Sequence, residues 1–123
     1  MRVAINAALP NSVVLVMDFE SGEPPESMGG ALIAANETCV AVGTLAEHSG
    51  ESEFVLAESV DEVDQASMHI AFDGRIQSTS GEVSLVSVLN RKLLALPTSS
   101  AEVRVRVLVN DDTEPSRIAV VLG

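Results

Sequence analysis

The sequence of 123 residues has no Trp, no Tyr and only three Phe, one Cys, and seven Lys plus Arg. Each scarcity excludes a class of protein. A single Cys cannot form an internal disulfide, so a small secreted fold built on disulfides is ruled out. Seven bases against 18 acids give a net charge of −11, which excludes a duplex-binding role, because such binding draws its affinity from Lys and Arg on phosphates. No run approaches the roughly 20 apolar residues of a membrane span. Residues 1–17 are fairly apolar, but Asn6, Pro10, Asn11 and Ser12 interrupt them, which does not fit the unbroken stretch of a cleavable leader; the expected location is cytoplasmic. Asn36-Glu37-Thr38 has the form of a glycosylation sequon and, without a secretory route, reads as a chance match. Apolar residues still make up 46% of the chain, too many for a disordered acidic tail. The length suits one domain, residues 1–123, able to bury roughly two-thirds of its unfolded surface.

What is abundant is β-branched. The chain has 18 Val and 5 Ile against 12 Leu, and branched side chains suit a pleated surface better than a helix. Short apolar stretches recur about every ten residues between turn residues, the spacing of a sandwich or barrel. The expected strands are residues 2–7, 12–18, 31–35, 38–43, 53–57, 67–72, 82–89, 92–96, 102–109 and 117–122. The stretch 102–109 alternates most cleanly: Val103, Val105, Val107 and Val109 share one face, and Glu102, Arg104 and Arg106 the other. Asp73-Gly74 predicts a tight hairpin turn before residues 75–78. Pro24-Pro25 makes residues 20–27 a loop. Ser-Gly-Glu occurs at Ser21, Ser49 and Ser80 in unrelated surroundings, which reads as three separate turns. One short helix is expected between Glu58 and Gln65, with Ser59 as its cap and Glu62 three residues on. The predicted fold is all-β, an antiparallel sandwich of about 8–10 short strands whose core is Val, Leu, Ile and Ala.

Charge is placed unevenly. Residues 1–74 hold 13 acids and one base, Arg2, while residues 75–123 hold five acids and six bases. The densest run extends from Glu47 to Asp64: Glu47, Glu51, Glu53, Glu58, Asp61, Glu62 and Asp64, with no base between them. One reading is a solubilising surface. The other is a binding face for a basic protein, since clustered acids speed encounter with a cationic partner and fix register on contact. A nuclease's phosphate-binding cleft is such a surface.

Motifs for chemistry are missing. His48, His69 and Cys39 follow no metal-ligand spacing. His69 reads as bordering a strand face and His48 as a turn residue. Asp111, Asp112 and Glu114 form an acidic loop without EF-hand spacing. There is no Gly-x-Ser-x-Gly, and Gly29-Gly30 lacks the Lys and Ser or Thr of a phosphate loop. Nothing near Cys39 would activate a thiolate. Eighteen acids make many chance carboxylate pairs, so no pair is informative. The expectation is a non-enzyme with no cofactor and no metal. Scarce aromatic walls argue against a small-ligand pocket.

Residues 13–18 are followed by an acidic, Pro-containing loop and Gly29-Gly30-Ala31. Then come Met68-His69-Ile70-Ala71-Phe72, Ser80-Gly81-Glu82-Val83, and Leu96-Pro97 leading into residues 102–109. This ordering of segments resembles the competence-protein-J-like nuclease inhibitors and bacterial immunity proteins. Gly30 leads into Ala31-Leu32-Ile33, where that family has aromatic residues. The resemblance implies an all-β protein that neutralises a toxin or nuclease and carries no catalytic residues. A β-sandwich that self-associates through its edges or Val-rich faces is the alternative left open by the residues alone.

Overall fold

The computed structural model describes residues 1–123. Ten strands follow in chain order: β1 (Arg2–Ala7), β2 (Val13–Met17), β3 (Ile33–Ala35), β4 (Cys39–Gly43), β5 (Ser52–Ala57), β6 (His69–Gln77), β7 (Glu82–Ser87), β8 (Lys92–Pro97), β9 (Glu102–Val109) and β10 (Arg117–Leu122). They form two five-stranded sheets, ordered β1-β5-β10-β9-β6 and β3-β4-β2-β7-β8. The fold is an all-β sandwich. Every pairing is antiparallel except β5 with β10, which run parallel. No helix is long and apolar enough to cross a membrane.

The core lies between the sheets. Val103, Val105, Val107 and Val109 of β9 all point into it, facing Val14, Val16, Val40, Val42, Val83 and Leu85 of the second sheet. Phe54 is the only aromatic ring fully buried there, so close contact of small branched side chains supplies the density that larger rings supply elsewhere. Both outer faces are covered as well. Segment 58–68 crosses the first sheet and sets Val63 and Met68 on Val55, Ala57, Leu108, Ala119 and Val121. On the second sheet, Phe19 and Met28 lie over Leu15, Met17, Cys39, Ala41 and Val86. That double covering explains why β2, β4 and β10 read as unbroken apolar runs whereas β9, partly open to water, alternates.

Two expectations fail. Asp73-Gly74 makes no hairpin: β6 runs straight through it. Gly74 is required for another reason. A side chain there would begin 2.6 Å from Cζ of Phe72, so the ring occupies the glycine's empty face and packs on the core edge. Nor does a helix span Glu58 to Gln65. Only the 3-10 turn Val60–Glu62 forms, with the expected capping box between Ser59 and Glu62. Val63 leaves helical geometry (φ −112°, ψ 133°) because its side chain is drawn under the segment into the apolar cluster on the sheet.

One acid is fully buried. Asp18, at the end of β2, has no cationic partner; its carboxylate accepts four hydrogen bonds instead. Oδ1 takes the N–H groups of Glu20 (2.9 Å) and Ser21 (3.3 Å). Oδ2 takes the Ser78 hydroxyl (2.8 Å) and the Ser80 N–H (2.7 Å). Burial pushes this carboxyl's pKa up, but the hydrogen bonds from Ser80, Ser78 and Glu20 more than reverse it and hold the group well below the usual carboxylate range. The effect is to tie the turn after β2 in one sheet to the β6–β7 connection between the sheets.

Cys39 is also buried, and that burial pushes its thiol up to about 12. Relative to an open thiol this lowers the thiolate fraction by roughly a thousandfold or more. Native protein at neutral pH should therefore leave Cys39 unmodified by Ellman's reagent for hours and release one equivalent of thionitrobenzoate on adding denaturant. Rapid labelling without denaturant would contradict the packing described.

Candidate functional site

The registers assign each loop to an end of the sandwich. β5 and β10 start at the end where β1 and β9 finish and β6 begins. The loops at that end include residues 8–12 and 88–91, the latter with the exposed base Arg91, and the pair 44–51 and 110–116. The members of that pair are bound together: the Pro115 carbonyl accepts the Leu45 N–H (3.0 Å) and the Ser52 hydroxyl (3.2 Å). Five exposed carboxylates sit on these two loops: Glu47, Glu51, Asp111, Asp112 and Glu114. Glu53, on the outward face at the start of β5, and Asp64, on the crossing segment, meet them through Arg117. Arg117 Nε is 3.6 Å from Glu53 Oε1 and its Nη2 is 3.8 Å from Asp64 Oδ2. The same guanidinium donates to the carbonyls of Ala66 and Asp64, which fixes the segment on the sheet.

Seven carboxylates thus collect at one end, and the side chains that meet them are Arg117 and His69. His69 opens β6, as a residue bordering a strand face, with Nε2 2.6 Å from Asp112 Oδ1. Asp111 is held low in pKa, first by the N–H of Glu114 (2.8 Å) and then by the N–H and hydroxyl of Thr113 (3.1 and 3.0 Å), with a smaller effect from nearby His69. These bonds shape the loop and leave its carboxylates outward. His48 lies exposed in the 3-10 turn Glu47–Ser49.

The run from Glu47 to Asp64 is therefore not one patch. Glu47, Glu51, Glu53 and Asp64 share this end. Glu58, Asp61 and Glu62 belong to the opposite end, where the chain leaves β5. Two of those three are already occupied. The Met1 ammonium is 3.5 Å from Glu58 Oε2 and 3.0 Å from Glu62 Oε2. The hydrogen bond between that ammonium and Glu62 raises the amine's pKa and lowers that of Glu62. Glu20, Glu23 and Glu26 lie elsewhere again, on the segment over the second sheet. Sequence reading did not group Asp111, Asp112 and Glu114 with the site. Counting strands would have done so, since the β9–β10 turn must return to the end from which β10 climbs beside β5.

No group of three or more His, Cys, Asp or Glu side chains is arranged to hold a metal ion. The larger hollow, about 670 Å³, is an open groove at the opposite end lined by Thr98, Ser99, Ser100, Arg75, Glu102 and Arg104. It has no aromatic wall, and its arginines pair with Glu102 and Asp73.

No protein-family model matches the sequence, and no curated protein is similar to it. A solved structure is similar in fold. It is the crystal structure of ComJ from Bacillus subtilis, inhibitor of the DNA-degrading activity of NucA, with a TM-score of 0.70 over 98% of this chain and 93% of that one, at 10% sequence identity. The chain has the ComJ fold. The likeness to ComJ is one of backbone architecture, and it takes in both sheets, since almost the whole chain is covered.

Proposed function

We propose that this protein is a non-catalytic inhibitor that neutralises a nuclease by presenting the acidic end of its sandwich to the enzyme's basic, phosphate-binding cleft. The observation that carries this reading is the ComJ fold over 98% of the chain. The charge layout supports it independently. Seven carboxylates at one end outnumber their cationic partners, and the two loops that bear five of them are bonded to each other, so the surface is preorganised before contact. Clustered charge of this kind raises the encounter rate with a cationic partner and is sensitive to salt. Glu47, Glu51, Glu53 and Asp64, joined by Asp111, Asp112 and Glu114, would meet the partner. Glu58, Asp61 and Glu62 would form at most the far rim. The partner is a basic protein, a nuclease acting as a toxin or on DNA, against which the chain would protect its own cell.

The test is inhibition. The purified chain, added at stoichiometric excess to the nuclease encoded beside it, should stop DNA degradation, and the inhibition should weaken steeply as salt is raised. Undiminished cleavage at low salt would end this reading.

A further inference from the structure

The first sheet ends in an open edge. β6 is its outermost strand, with β9 as its only ladder partner. Alternation along an antiparallel ladder sends successive residues' N–H and C=O groups to opposite sides. Ser78 donates to Ala101, so Ile76 and Gly74, of the same parity, bond towards β9. Gln77, Arg75 and Asp73 then turn their main-chain groups outward. Gln77 is capped by the Glu37 carbonyl (2.8 Å). Asp73 and Arg75 have no main-chain partner on that side. The open window is bounded by the Gln77–Glu37 bond at one end and by the bulge between Ile70 and Phe72 at the other, and it is symmetrical about Gly74.

We infer that this edge pairs with the same edge of a second copy of the chain, antiparallel about a two-fold axis through Gly74. In that register Asp73 of each copy lies opposite Arg75 of the other. Both pairs are of the hydrogen-bonded type, which gives four main-chain bonds, two from each Asp73–Arg75 pair. The two glycines meet as the close, non-bonded pair at the axis, where the absence of side chains removes any clash. The side chains agree with this register. Within one chain Arg75 stands directly across from Arg104, a like-charge opposition that costs stability. Arg104 is held by Asp73 (3.0 and 2.8 Å), whereas Arg75 has a single contact of 3.4 Å to Glu102. A second copy brings Asp73 to the free side of Arg75, so that each Arg75, opposed by Arg104 within its own chain, gains an acid directly across the new seam. Arg75, Arg104 and Arg106 against Asp73 and Glu102 leave this edge with more bases than acids on a −11 chain. The axis also places the two acidic ends at opposite poles, so the pairing does not depend on the inhibitor reading.

Sedimentation velocity across a concentration series, with amide exchange at its two extremes, tests the pairing. Self-association should increase with concentration, and the Asp73 and Arg75 amides should slow by at least about tenfold as pairs form. Arg75→Asp alone, and Asp73→Arg alone, each set like charges across the axis and should weaken self-association by at least about tenfold. Mixing the two variants restores opposite charges in the mixed pair and should restore association; far-UV circular dichroism checks that Asp73→Arg remains folded. A wild-type chain that stays monomeric throughout would overturn the inference. So would association that Arg75→Asp leaves unchanged, which would put the contact on another surface.

Discussion

Replacing Asp18 by Ala should lower the unfolding free energy by about 3–5 kcal/mol, the loss typical when a buried, fully hydrogen-bonded charge is removed and its partners are stranded. The donors left behind are the N–H groups of Glu20, Ser21 and Ser80 and the Ser78 hydroxyl. Asp18→Asn should be nearly as damaging, at about 2–3 kcal/mol. An amide can offer an oxygen to only one of the two donor pairs and must point an NH2 group at the other. The pH dependence follows from the direction of the shift. The folded-state pKa is depressed, so the stabilisation is present in full above the unfolded value of about 3.9 and is lost as pH falls below it towards the folded value. Urea unfolding of the wild type should therefore weaken below pH about 4, and both variants should lose this part of the slope. A wild-type stability that stays flat down to pH about 2 would contradict the role given to Asp18.

The second large effect is at the acidic end. Reversing Glu51 and Asp112 together to Lys should weaken binding to the cognate nuclease by about 2–5 kcal/mol, a loss of roughly thirtyfold to several thousandfold. Both side chains are exposed, so the fold should survive, as circular dichroism would verify. Glu58→Lys with Asp61→Lys, at the other end, is the matched control and should cost far less. Should the control variant lose more affinity than the Glu51 and Asp112 pair, the contact surface lies around segment 58–68 and the assignment of ends is reversed.

The difference between these two pairs could not be read from the run of acids, because distance along a strand is hidden in sequence. A six-residue strand spans about 20 Å. β5 thus carries Glu47 and Glu51 one sandwich height away from Glu58 and Asp61, and the returning segment brings Asp64 back to the first end. Local chemistry was legible. The Val alternation of β9, the Ser59–Glu62 cap and the ten strand positions follow from side-chain period and turn residues. Gly74 was misread because a glycine after Asp signals a turn by its backbone freedom, whereas here it answers to the Phe72 ring, a contact across the same strand face. The partners of these acids were hidden for a similar reason. The cations that meet Glu53, Asp64, Glu58 and Glu62 are Arg117 and the Met1 amine, both remote in sequence from the acids they neutralise.

The parallel pairing of β5 with β10 has a consequence for biosynthesis. β10 fills the middle of the first sheet, between β5 and β9, although it is the last of the ten strands to be made. Until residues 117–122 leave the ribosome, β5 and β9 have no common neighbour, and Phe54, Leu56, Val105 and Val107 have no roof of Ile118 and Val120 beside them. The apolar faces of β5 and β9 stay incompletely covered until that last strand is synthesised, so the first sheet can close only late.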